Sequence, residues 1–154
     1  MGVCTVISFT IPGTPQGKAR ARTVKNKYTG KTMSFTPDKS HNYEALIKMI
    51  AQKEIKELID GPIKIKIVAA FGMPKSTSKK KEEEMRNGEI RPTKKPDWDN
   101  IGKIVCDALN GIAYKDDSQI VNASVSKKYS DNPHVYVEIS KCLCGCISLK
   151  AKEV

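Results

Sequence analysis

The sequence predicts an α/β chain of the α+β kind, a single domain in which a mixed β-sheet carries two main helices. Three observations lead there. Alternating apolar residues recur near both ends and in the middle of the chain, two segments with helical apolar spacing separate them, and 154 residues suffice for one sizeable core but not for two catalytic domains.

Val3 to Ile11 is rich in β-branched and aromatic residues and stops at Pro12-Gly13, which predicts a first strand. Residues 14 to 31 are polar, basic and glycine-containing and read as a loop, and Thr32 to Thr36 as a short second strand. Asp38 or Ser40 can cap a helix running to about Ile59, with Ile47, Ala51, Ile55, Leu58 and Ile59 at helical spacing and Gly61-Pro62 beyond its end. Ile63, Ile65 and Ile67 alternate with Lys64 and Lys66 before the chain turns wholly apolar through Phe71, the pattern of a strand with one face buried at its start and both near its end. Residues 73 to 95 form a long charged connection with room for a short helix at Lys79 to Arg86, and connections of this length in small domains tend to be functional. Asn100 to Leu109 is the second main helix, with Gly111 after it. Val121, Ala123 and Val125 alternate, as do Val135, Val137 and Ile139, and Ser130 to Pro133 can turn between them, so the last two strands are expected to pair as an antiparallel hairpin. No internal repeat is visible.

Lys and Arg number 27 against 17 Asp and Glu, a net charge of +10. Much of the excess gathers in two basic loops, about 13-31 and 73-95. Lys18, Arg20 and Arg22 in the first and Lys94 and Lys95 in the second are the candidate contacts for a polyanion such as a nucleic acid. Cations concentrated in loops set up a local field that attracts phosphates and makes binding salt-dependent, although solvated surface lysines would give the same count. No charged leader precedes an apolar run and no apolar stretch nears about 20 residues, so the expectation is a soluble, cytoplasmic protein with no membrane partner. Five cysteines, Cys4, Cys106, Cys142, Cys144 and Cys146, without a secretory signal argue against a disulfide framework. The last three, in the tail 141-154, suit one face of a strand end better than a soft-metal site, for which no second ligand pair at familiar spacing exists.

The acidic residues are arranged differently. On the second main helix Ile101, Ile104, Val105, Ala108 and Leu109 form an apolar stripe, while Asp99, Lys103 and Asp107 follow one another at intervals of four on the opposite side. Asp97 and Asp99 stand at the helix entrance, which Pro96 stiffens. If that entrance is extended, both carboxylates point the same way and Trp98 turns into the core. Of Asp116 and Asp117, one is expected to complete the site and the other to take a second ion, accept a hydrogen bond or face solvent. Hard oxygen donors with no histidine at ligand spacing favour Mg²⁺, with Mn²⁺ as substitute, over Zn²⁺. Such a centre suits phosphodiester hydrolysis, with Lys103 near the phosphate or paired to a carboxylate. The same residues also fit blander roles, a helix cap, a charged turn before a strand and a surface ion pair.

The stretch KPDWDNIGKIVCDALNGIAYKDDSQIV, about a fifth of the chain, closely resembles the signature region of the RusA family of Holliday-junction resolvases. The shared pattern is a DxDN start, a Lys four residues after the second Asp, a DAL segment and a DD-Q-hydrophobic end. The resemblance implies a RusA-like fold and a homodimer that binds four-way junction DNA and, with Mg²⁺, cuts two strands symmetrically in DNA recombination and repair. It carries the metal ligands onto Asp97, Asp99 and Asp117 and the essential lysine onto Lys103. Asp116, as a further metal candidate, and Asp107 match acidic positions; Asn100 is expected to steady the helix start and Gln119 to orient Asp117 or its loop. The alternatives are a nuclease for another branched DNA or structured RNA, and a noncatalytic branched-DNA-binding protein.

Overall fold

The computed structural model describes residues 6–35 and 37–142. In chain order the elements are β1 (Val6–Pro12), β2 (Arg22–Lys25), β3 (Thr32–Phe35), α1 (Asp38–Glu54), β4 (Ile63–Gly72), α2 (Lys79–Arg86), α3 (Trp98–Leu109), β5 (Ile120–Ser130) and β6 (His134–Lys141), with one turn of 3₁₀ helix at Asp117–Gln119. The main sheet has the order β1-β6-β4-β5. β4 and β5 run parallel, and β6 is antiparallel to both β1 and β4. This is the mixed α+β architecture that the periodicities predict.

Periodicity translates directly into the core. β4 buries Ile63, Ile65 and Ile67 alternately and then Ala69, Ala70 and Phe71 in succession, so the strand passes from one covered face to two. α3 buries the whole expected stripe, Ile101, Ile104, Val105, Ala108 and Leu109. α1 buries Ser40, Tyr43, Ile47 and Ala51 at intervals of three and four, and it packs on β1 and α3. Each fully buried Ile contributes on the order of 1.5–3 kcal/mol. α3 sits close on β5 because Gly102 has no side chain: a Cβ there would stand 3.2 Å from Val125 Cγ2.

The expected terminal hairpin is not formed. β6 inserts between β1 and β4, while β5 lies on the far side of β4 as the parallel edge strand. The burial explains the order: Val135, Val137 and Ile139 are fully buried, as a central strand requires, whereas Val121 is 61% exposed. The connection between them crosses the end of β4, where Gly72 leaves room for the Pro133 ring and the Gly13 N–H donates to the Pro133 carbonyl at 3.1 Å. α1 ends at Glu54 rather than near Ile59, because Ile55 turns extended and the Ile59 N–H donates to the Ala113 carbonyl at 2.8 Å. The first basic loop contains an unforeseen strand, β2, which pairs with β3 as a separate two-stranded ribbon. Its residues show no apolar alternation; cross-strand bonds and a tight turn hold it. In the second basic loop the short helix is formed as α2, buried at Met85 and fastened by Arg86, which donates to Asp131 at 2.9 and 3.3 Å. Cys106 and Cys142 are free thiols, whereas Cys4, Cys144, Cys146 and the expected strand start at Val3 lie outside the described residues.

Candidate active site

The site is built around α3. Asp97 is its N-cap residue (φ −69°, ψ 153°) and the helix starts at Trp98, so Asp99 belongs to the first helical turn. The entrance is therefore not an extended run. Both carboxylates are exposed at a helix start whose unpaired amides favour negative charge. Asp97 makes no side-chain cap bond, which leaves its oxygens for another partner. Trp98 is 64% exposed rather than buried, since helical backbone swings it away from the stripe already filled by Ile101 and Ile104.

Two residues distant in sequence hold this entrance. The Lys127 ammonium, from β5, donates to the carbonyls of Lys94 and Pro96, the latter at 3.1 Å, and lies 5.4 Å from the centre of the Phe71 ring. Lys94 and Lys95 themselves are exposed, and the Lys95–Pro96 peptide bond is cis. On the other side Gly17 presses against the motif: a Cβ there would come within 2.8 Å of Pro96 Cβ and 3.0 Å of Asn100 Cβ. The adjacent Lys18 N–H donates to the Asn100 carbonyl at 2.9 Å, a backbone bond that ties the basic loop to the helix start. Gly17→Ala is expected to force these surfaces apart, lowering stability by about 1–3 kcal/mol. Urea unfolding checks this, and an unchanged midpoint would contradict the close packing.

Further along α3, Lys103 is exposed and makes no ion pair among the described residues. The helix-surface ion pair with Asp107 that the blander reading allows is not made, because Asp107 has another partner. Lys18 reaches in from the basic loop and bridges Asp107 at 3.0 Å and Glu44 of α1 at 2.8 Å. Burial pushes the Lys18 ammonium down, but the hydrogen bonds and charges of Glu44 and Asp107 outweigh it and leave its pKa raised. Burial likewise pushes Glu44 up, and Lys18 and Lys48 reverse the effect and hold its carboxyl below the ordinary value. Lys18 thus clasps loop to helices instead of standing free, while Arg20 and Arg22 are exposed.

Asp116 and Asp117 play different parts. Asp116 caps the 3₁₀ turn, accepting from the Ser118 N–H at 2.9 Å, and Ser118 holds its pKa below the usual range. Asp117 is exposed as the first residue of that turn. Gln119 fastens the loop: its Oε1 accepts from the Lys115 N–H at 2.9 Å, and its Nε2 donates to the carbonyls of Ile59 and Gly61 at 3.1 and 3.0 Å. The charge of Asp117 reaches Cys106 and Tyr114 near the C-terminal end of α3. Burial, and then the negative charges of Asp117 and Asp107, push the Cys106 thiol up to about 11, so it stays protonated at neutral pH and is no nucleophile. Asp97 and Asp99 stand at the opposite end of this 12-residue helix, about 18 Å long. Asp97, Asp99 and Lys103 thus lie along the first half of α3, whereas Asp117 follows its C-terminal end. Among the described residues no three His, Cys, Asp or Glu side chains group closely enough to hold a metal ion.

The start of α3 thus combines exposed carboxylates, a lysine one turn on with no ion pair among the described residues, and a basic loop clasped beside them, and comparison with known proteins gives the class, a nuclease family. The model of the endodeoxyribonuclease RusA family matches residues 12–140, and the chain belongs to that family. It is also 42% identical over 137 residues to the uncharacterized protein YqaN of Bacillus subtilis (strain 168), an alignment spanning 86% of this chain and 94% of that protein. Among the described residues no helix is long and apolar enough to cross a membrane.

Proposed function

We propose that the protein is a Mg²⁺-dependent endodeoxyribonuclease that acts as a homodimer on four-way DNA junctions, cutting two strands symmetrically. The observation that carries this reading is α3, with Asp97 and Asp99 exposed at its start and Lys103 unpaired one turn later, in a member of the RusA family with net charge +10. The donor chemistry, carboxylate oxygen without histidine or ionised thiol, suits Mg²⁺ or Mn²⁺. The number of donors in one chain does not, because Asp117 stands at the far end of the helix. A twofold-related copy answers both this and the need for two cuts: its Asp117 would complete the set begun by Asp97 and Asp99, and two such centres would address two equivalent strands.

When bound, the cation would polarise a phosphate oxygen and lower the pKa of water. The remaining work falls to the chain's own groups. Lys103 meets the negative charge that develops on the phosphate, Arg20, Arg22, Lys94 and Lys95 receive neighbouring phosphates, and Gly17, Lys127 and Gln119 keep the two acidic segments in position. The test is to compare a labelled junction, a flap, linear duplex and structured RNA at equal salt, with Mg²⁺ or with EDTA. Paired nicks in the junction that depend on Mg²⁺ are expected. Equal cutting of duplex or RNA would move the substrate elsewhere, and junction binding without any incision would make the protein a scaffold.

A further inference from the structure

The β2–β3 ribbon has no part in the carboxylate centre, yet among the described residues it is the most exposed structured segment. Every residue from Arg20 to Ser34 is exposed, and the ribbon forms its own sheet. Val24 faces Met33 across the strands, and these side chains are 53% and 66% exposed. Tyr28, at the tip, is 99% exposed.

The tip is nevertheless ordered. The Asn26 N–H donates to the Lys31 carbonyl and the Gly30 N–H to the Asn26 carbonyl, both at 2.9 Å, and Asn26 Oδ1 accepts from the N–H groups of Tyr28 and Thr29 at 2.8 and 3.2 Å. Gly30 takes the left-handed conformation that closes this turn (φ +66°). The backbone of Tyr28 is thus pinned while its ring projects into solvent. Residues 13 to 37 contain no Asp or Glu and six Lys or Arg, of which Lys18 is consumed by its ion pairs. A cleft of about 330 Å³ at the root of the ribbon, lined in part by Arg22 and Lys39, extends the positive surface onto α1.

We propose that this ribbon is an arm for branched DNA, with its basic residues on phosphates and Tyr28 stacked on a base left unstacked at the branch point. The inference rests on the DNA-nuclease reading above. The charge selects the occupant: a second copy of the ribbon would bring like charges together, whereas a DNA backbone complements them. A two-stranded ribbon fits the major groove, and an aromatic ring on a rigid tip can stack only where a base has lost its own stacking partner. The arm therefore discriminates a branch from continuous duplex without reading sequence.

The experiment measures binding in EDTA, where no incision occurs, to a four-way junction and to linear duplex of the same arm sequence, with 2-aminopurine beside the branch point. Tyr28→Ala is expected to weaken junction binding about tenfold, to leave duplex binding within about twofold, and to abolish the 2-aminopurine change caused by the intact chain. Tyr28→Phe should behave as the parent, since the ring is retained. A Lys25→Gln/Lys27→Gln double variant should weaken both substrates and flatten the salt dependence. Equal losses on junction and duplex in Tyr28→Ala, or no loss on either, overturn the arm while leaving the nuclease reading intact. Failure of the intact chain to prefer the junction overturns both.

Discussion

A mixture of Asp97→Asn and Asp117→Asn chains is expected to nick DNA although neither variant cuts alone. Each substitution removes a carboxylate oxygen proposed to hold the cation, with almost no change in volume, and Asn caps a helix about as well as Asp, so the fold at the start of α3 is preserved. Alone, each variant should lose more than about a hundredfold in rate, the loss that disturbing even outer-shell partners of a metal can cause. Junction binding should remain, because a negative charge has been taken from a surface facing phosphates. The mixture separates two arrangements of the site. If a centre combines Asp97 and Asp99 of one protomer with Asp117 of its partner, a mixed dimer contains one centre with both defects and one with none. It then delivers single nicks instead of paired cuts. If each chain built its own centre, every centre in the mixture would be defective and no activity would return. The readout is the yield of nicked strands after subunit exchange, resolved on a denaturing gel. No recovery would reject the shared centre, and full activity of either variant alone would reject the carboxylate site.

Lys103→Ala should lower the single-turnover cutting rate by roughly a hundred- to a thousandfold, the range for losing one preorganised group that meets developing charge. Junction affinity should change by no more than a few fold. Ala is as good a helix former as Lys, and Lys103 is exposed with no ion pair among the described residues, so stability should hold. The prediction depends on Lys18, which occupies Asp107 and so leaves Lys103 unneutralised one turn from Asp99. Lys103→Arg should keep part of the rate. A loss confined to affinity, with the rate untouched, would make Lys103 an ordinary phosphate contact.

Much of the helical core and of the acidic signature was legible in the order of the residues. The stripe from Ile101 to Leu109 is a local property, because helix geometry alone puts those positions on one face, and the structure buries all five. β4 was legible for the same reason, its period of two passing into an apolar run. Gln119 fastens the loop that carries Asp117, as its place in the signature implied.

Only the tertiary structure decided the rest, wherever two segments far apart in the chain compete for one partner. Alternation in β5 and β6 says that each is a strand but not which neighbour it takes; β6 won the central place because its inward residues are wholly apolar. Lys18 read as a candidate DNA contact, but the packing of α1 against α3 puts Glu44 and Asp107 within its reach and ties its charge up in two ion pairs. Asp97 and Asp117 belong to one motif in the sequence, yet β5 runs back along α3, with Lys127 at the helix entrance, and sets the two carboxylates toward opposite ends of the helix, an arrangement that depends on strand pairing and not on the motif.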